Sequence, residues 1–154
     1  MAKRYWLMKT EPETFSIRDL KTRGTEPWNG VRNYTARNHM RDLMKVGDEV
    51  LFYHSNATPS GVAGLATVCK AGYPDHTAED PSSDYFDPKA KPGANPWVMV
   101  DVKFKKEFKR LIPLDEMRNA PGLEGMMVIK KGMMLSVQPV TPEEFAIVVK
   151  MAGN

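Results

Sequence analysis

Val98, Val100, Val102 and Phe104 are apolar, and Asp101 and Lys103 between them are charged. This alternation predicts a strand over 98–104 with one face in a core. In 49–54 the apolar positions run together. Val50 and Phe52 would face one side and Leu51 and Tyr53 the other, which predicts a strand covered on both faces. Tyr5-Trp6-Leu7-Met8 reads the same way and stops at Glu11-Pro12, because proline cannot continue a central strand. Val62 to Lys70 is a further strand, with Ala63, Gly64 and Ala66 allowing close backbone approach. Helical spacing appears over 33–45. Ala36, Met40, Leu43 and Met44 form an apolar stripe, and Arg37, Arg41 and Lys45 recur at every fourth residue on another.

Local signals mark the shorter elements. Ser16 with Asp19 three residues on predicts a capped helix over 16–21, and Thr141-Pro142 with Glu144 predicts a second box opening the last helix. Phe145, Val148, Val149 and Ala152 would be its buried face. A helical turn is expected over 115–119, and two short strands over 126–138 around Lys131-Gly132. Residues 71–96 carry five prolines and five acidic residues, and read as a long excursion of the functional or disordered kind. These elements predict a mostly β, α+β fold: a single domain over 1–154, with about six strands closed into a small β-barrel and short peripheral helices.

A length of 154 residues suits one domain, with 42% hydrophobic and 27% charged residues. No apolar run approaches the ~20 residues of a membrane-spanning helix. Met1 to Trp6 lead directly into strand-like sequence with no signal-peptide core. Cys69 is the single cysteine, which excludes an internal disulfide and a multi-cysteine zinc site. The expectation is an intracellular protein with no membrane association: cytoplasmic, or nuclear in a eukaryote. The net charge of +3 is unevenly spread, with +5 over 1–45, −5 over 46–102 and +3 over 103–154. Two basic ends on one face would attract a polyanion.

The chain has no Walker loop, GxGxxG, HExxH or GxSxG motif. His39, His54 and His76 lack metal-ligand spacing, so neither metal nor cofactor is expected. Residues 28–38 place Trp28, Arg32, Tyr34, Arg37 and the amides of Asn33 and Asn38 around a helix start. Aromatics stack on bases and amides read their edges. The plain alternative is Asn33 as a cap and Trp28 as core. Phe52-Tyr53-His54-Ser55-Asn56, followed by Gly61-Val62-Ala63-Gly64, could line a pocket at a barrel mouth, or form an ordinary surface hairpin.

Four segments together resemble the EVE domain: 5–12, 28–38, 52–56 and 136–140. The resemblance runs the full length in order and spacing. It implies a PUA-like barrel related to the YTH readers of methylated adenine, and binding of DNA or RNA that carries a modified, flipped base. On that reading Trp28, Tyr34 and Trp97 are candidate pocket walls, and Asn33, Asn38, His54, Ser55, Asn56 and Thr10 candidates for bonding the base edge. Arg32, Arg37, Arg41 and Lys9 would hold phosphates, and the protein would act as a monomer without catalysis. The rival is a small amidohydrolase using Lys9, Thr10 and Glu11, as in the related ASCH group. Against it, neighbouring strand residues point to opposite faces. A third reading is a protein-interaction module built on the 71–96 loop.

Overall fold

The computed structural model describes residues 3–153; Met1, Ala2 and Asn154 of the expected 1–154 domain lie outside the described residues. The longest ladder joins β4 (Gly61–Pro74) to β5 (Val98–Pro113) in antiparallel register. β4 also pairs antiparallel with β3 (Glu49–His54). β3 runs parallel to β1 (Tyr5–Thr10), whose other edge takes the short antiparallel β6 (Val137–Val140). With β2 (Thr25–Pro27) against β5, the order is β2-β5-β4-β3-β1-β6.

Six strands are present as expected, but the sheet is not closed into a barrel. Its two edge strands are short, and each carries a proline, Pro27 or Pro139. Proline cannot donate to a ladder, so neither edge is suited to sealing the sheet.

Both faces of the sheet are buried. Trp6, Met8, Val50, Phe52, Val100 and Val102 join the core under α1 (Ile17–Arg23) and α2 (Tyr34–Asn38). Leu7, Leu51 and Tyr53 join a second core under α3 (Leu114–Arg118) and α4 (Pro142–Met151). The alternation along 49–54 and 98–104 therefore falls as expected.

Three expectations change. The helix over 33–45 is α-helical only through Asn38 and continues as a π-helical turn over His39–Leu43. The wider turn keeps Met40 and Met44 in the core, but it breaks the fourth-residue register of Arg37, Arg41 and Lys45. Of the two short strands expected over 126–138 only one is present, β6, which begins at Val137. Met127–Ile129 is a 3-10 turn, with Met126 and Val128 buried in the second core. Residues 71–96 are ordered by their own contacts. β4 continues to Pro74, a 3-10 turn follows at His76–Glu79, and Ala78, Ala90 and Trp97 form a small third core. The Trp97 indole N–H donates to Asp87 at 2.7 Å, and the Asn95 amide donates to the Asp75 carbonyl at 2.8 Å and to Glu79 at 2.9 Å.

Both capping boxes form. Ser16 and Asp19 exchange bonds at α1, as do Thr141 and Glu144 at α4, with Pro142 in the first turn. Thr141→Ala is expected to cost ~0.5–2 kcal/mol. Urea unfolding measures this, and a neutral variant would mean that the cap does not hold α4.

Candidate nucleic-acid interface

Because β1 and β3 run parallel, their carboxyl ends finish side by side, with Thr10 opposite His54. The chain leaves them as Glu11 on one side and Ser55-Asn56 on the other. Asn56 has φ 50°, a left-handed conformation that asparagine tolerates, and its amide donates to Glu11 at 3.1 Å. Across from these ends, the turn 28–32 makes the opposite wall. Gly30 has φ 80°, and the Tyr85 ring lies so close that a Cβ there would be 2.7 Å from it. Only glycine fits that position.

Asp75 anchors this wall from below. It is fully buried and accepts from the Gly30 N–H at 2.8 Å, Arg32 Nη1 at 2.9 Å, the Thr77 N–H at 2.9 Å and the Thr77 hydroxyl at 2.5 Å. Burial pushes its carboxyl up, but the Thr77, Gly30 and Arg32 donors outweigh that and hold it below the ordinary value. Arg32 also donates to the Tyr85 carbonyl at 2.7 and 3.0 Å, and its guanidinium lies 5.4 Å from the Trp97 ring and 5.8 Å from that of Tyr85.

The space enclosed is a cavity of about 550 Å³. Thr14, Phe15, Arg23 and Glu26 also line it, as does Ser136 on the approach to β6, while Met134 stands on its rim with its side chain largely in solvent. Trp28 is 8% exposed and packs edge-on against Phe52 at 5.5 Å, so most of its ring is core while part of it borders the cavity. Its indole N–H has no partner among the described residues, nor do the side chains of Thr10, Thr14, Asn29, Ser55 and Ser136.

Lys9 borders the cavity beside Thr10, so the two converge on one space although they alternate along the strand. The Lys9 ammonium donates to the Met133 carbonyl at 2.9 Å and lies 5.7 Å from the Tyr53 ring. Burial pulls its pKa below the ordinary lysine value. The ammonium makes no bond to the Thr10 hydroxyl, as activation of that hydroxyl would need.

Of the residues singled out in the sequence, Lys9, Thr10, Trp28, Arg32, Ser55 and Asn56 line the cavity. The others stand elsewhere. Asn33 caps α2 by accepting from the Ala36 N–H at 3.0 Å. His54 Nε2 accepts from the Ile17 N–H at 3.1 Å, and burial lowers its pKa. Tyr34 stacks on Trp97 with ring centres 4.8 Å apart. Arg37 lies over Tyr34 at 4.9 Å, donates to the Pro96 carbonyl at 2.8 Å and bonds Asn38 at 2.9 Å. Arg41 pairs with Asp42 at 2.7 Å. Arg37, Tyr34, Trp97, Arg32 and Tyr85 thus form a ladder of stacked rings and guanidinium groups leading to the cavity rim. Glu11, Asn29, Arg23, Glu26, Tyr85 and Met134 complete the site without having been singled out as pocket residues, although Glu11 and Asn29 stood within the segments that carried the resemblance. Among the described residues, no three His, Cys, Asp or Glu side chains are grouped to hold a metal. No helix among them is long and apolar enough to cross a membrane.

An open mixed sheet with short helices on both faces and a cavity at the ends of its parallel strands is consistent with a PUA-like fold. The profile of the EVE domain matches residues 4–151, and the chain belongs to that family. Human Thymocyte nuclear protein 1 is 42% identical, over 96% of this chain and 73% of its own length. A hypothetical protein from Leishmania major, of known structure, is 50% identical with a TM-score of 0.94, covering 98% of this chain and 95% of that one. The crystal structure of human THYN1 protein in complex with 5-methylcytosine-containing DNA superposes with a TM-score of 0.90 at 42% identity, over 99% of both chains.

Proposed function

We propose that this protein binds DNA carrying a modified cytosine of the 5-methyl class, and takes the base into the cavity at the ends of β1 and β3 without altering it. The observation that carries the proposal is the likeness, over 99% of both chains, to human THYN1 protein, whose crystal structure is a complex with 5-methylcytosine-containing DNA. The cavity's chemistry supports it. Its volume falls in the ~300–1,000 Å³ range of small-ligand sites. Phe15 and the exposed part of Trp28 offer apolar contact, and Thr10, Asn29 and Ser55 offer unpaired polar groups. The Glu11 carboxylate is an acceptor suited to the cytosine amino group. Lys9, which has no ion pair among the described residues, adds positive charge at the cavity. The protein would work where it meets DNA: the cytoplasm of a prokaryote or the nucleus of a eukaryotic cell.

Calorimetry with oligonucleotides that differ only in cytosine or 5-methylcytosine tests this, with RNA counterparts as a comparison arm. Mass spectrometry of the recovered nucleosides runs beside it. The expected result is preferential binding of the methylated DNA and unchanged nucleoside mass. Equal affinity for both DNAs would remove the modified-base reading, and a changed mass would favour the hydrolase.

A further inference from the structure

Met134 is 86% exposed, the most exposed of the large apolar side chains among the described residues. A single exposed apolar residue is ordinary. This one, however, stands on the cavity rim, and the chain on either side of it is fixed. The Met133 carbonyl accepts from the Lys9 ammonium at 2.9 Å, Leu135 packs against the first core, and the Ser136 carbonyl accepts from the Lys9 N–H at 2.9 Å. Met134 is therefore held outward between anchored neighbours. Just before it, across the turn at Gly132 (φ 78°), Lys130 and Lys131 are exposed and have no ion pair among the described residues.

We infer that Met134 is a wedge: it enters the DNA duplex at the gap left when the modified base moves into the cavity, while Lys130 and Lys131 hold the flanking phosphates. The inference rests on the reading of the cavity as a base pocket. Extruding a base removes its stacking and leaves an apolar gap between its neighbours, which costs free energy. Proteins that unstack a base step insert an apolar side chain there, methionine among them. An unbranched, polarizable thioether can fill such an irregular space.

A wedge matters only when a duplex has to be opened, and this separates it from a pocket wall. The experiment measures binding of wild type, Met134→Gln and Met134→Leu to one 5-methylcytosine in three settings, each beside its unmethylated counterpart: a matched duplex, the same duplex with the methylated base mispaired, and a single strand. Met134→Gln is expected to weaken binding to the matched duplex by about tenfold or more, because the cost of unstacking is no longer offset. It should leave the mispaired duplex and the single strand within about twofold, since a mispaired or single-stranded base is the least costly to extrude. Met134→Leu should behave as wild type. Unchanged affinity of Met134→Gln for the matched duplex overturns the wedge, and so does an equal loss in all three settings, which would make Met134 a wall of the pocket. If wild type does not prefer the methylated single strand over the unmethylated one, the base-pocket reading fails and the wedge falls with it. That result is distinct from either outcome for the variant.

Discussion

Asp75→Ala is expected to destabilise the protein by ~3–5 kcal/mol, the usual cost of stripping one partner from a buried ion pair. Its carboxylate gathers two backbone N–H groups, a hydroxyl and the Arg32 guanidinium, all from segments that build the cavity wall. Without it the Gly30 and Thr77 N–H groups lose their acceptor, and Arg32, left with its carbonyl partners, holds the turn to residues 75–77 only through the Thr77 hydroxyl at 3.2 Å. Asp75→Asn should be milder in bulk but still costly, since an amide brings no charge and its NH₂ would face donors. The pH dependence has a definite sign. The folded-state pKa of Asp75 is depressed, so the stability it contributes is complete above its unfolded-state value and is lost as pH falls through the folded value. The gap between wild type and Asp75→Asn should therefore narrow on acidification. Urea unfolding of both proteins at neutral and acid pH measures it. A gap that widens in acid would mean that Asp75 is not the anchor described.

Trp28→Ala is expected to lose ~3–5 kcal/mol of stability, as for other large aromatic side chains removed from a core. Its ring is buried against Phe52, and only a small part reaches the cavity. A binding defect in that variant would be uninformative unless it stays folded, so Trp28→Phe is the sharper probe. It keeps an aromatic ring against Phe52 and removes the unpartnered indole N–H. If that N–H bonds the base, affinity for the methylated oligonucleotide should fall about two- to tenfold, the effect of one hydrogen bond worth ~0.5–1.5 kcal/mol. Calorimetry beside a thermal melt separates the two effects. Full affinity in Trp28→Phe would leave Trp28 as floor and core alone.

What was legible in the sequence is what depends on near neighbours. Ser16–Asp19 and Thr141–Glu144 need only one turn of chain to cap a helix, and both do. The two-sided burial of 49–54 follows from its unbroken apolar run, and the sheet delivers it. The failures lie where distant segments decide. Barrel closure depends on whether the edge strands meet, and their brevity shows only once pairing is known. The Arg37, Arg41 and Lys45 stripe assumed a uniform α-helix, but the π turn at 39–43 redirects it, and Arg41 finds Asp42 instead. In the candidate site, Trp28, Arg32, Ser55 and Asn56 could be picked out because aromatic, basic and amide groups cluster locally. Tyr85 and Met134 could not. Each reaches the rim from a remote segment, Tyr85 through the Arg32 and Gly30 contacts and Met134 through Lys9.

The seam between β1 and β3 joins strands separated by residues 11–48, whereas β3 and β4 are joined directly by 55–60. Non-local pairings form late, because the entropy of closing a long loop must be met first. The β3–β4 hairpin can thus order early, and the seam that floors the cavity only afterwards. β6 then docks on β1, and the rim at Met134 and Ser136 immediately precedes it in the chain. A chain still emerging from the ribosome therefore has no complete site until Ser136 and β6 have been made. The cavity is completed with β6, and no fragment that stops short of Ser136 carries all of its lining.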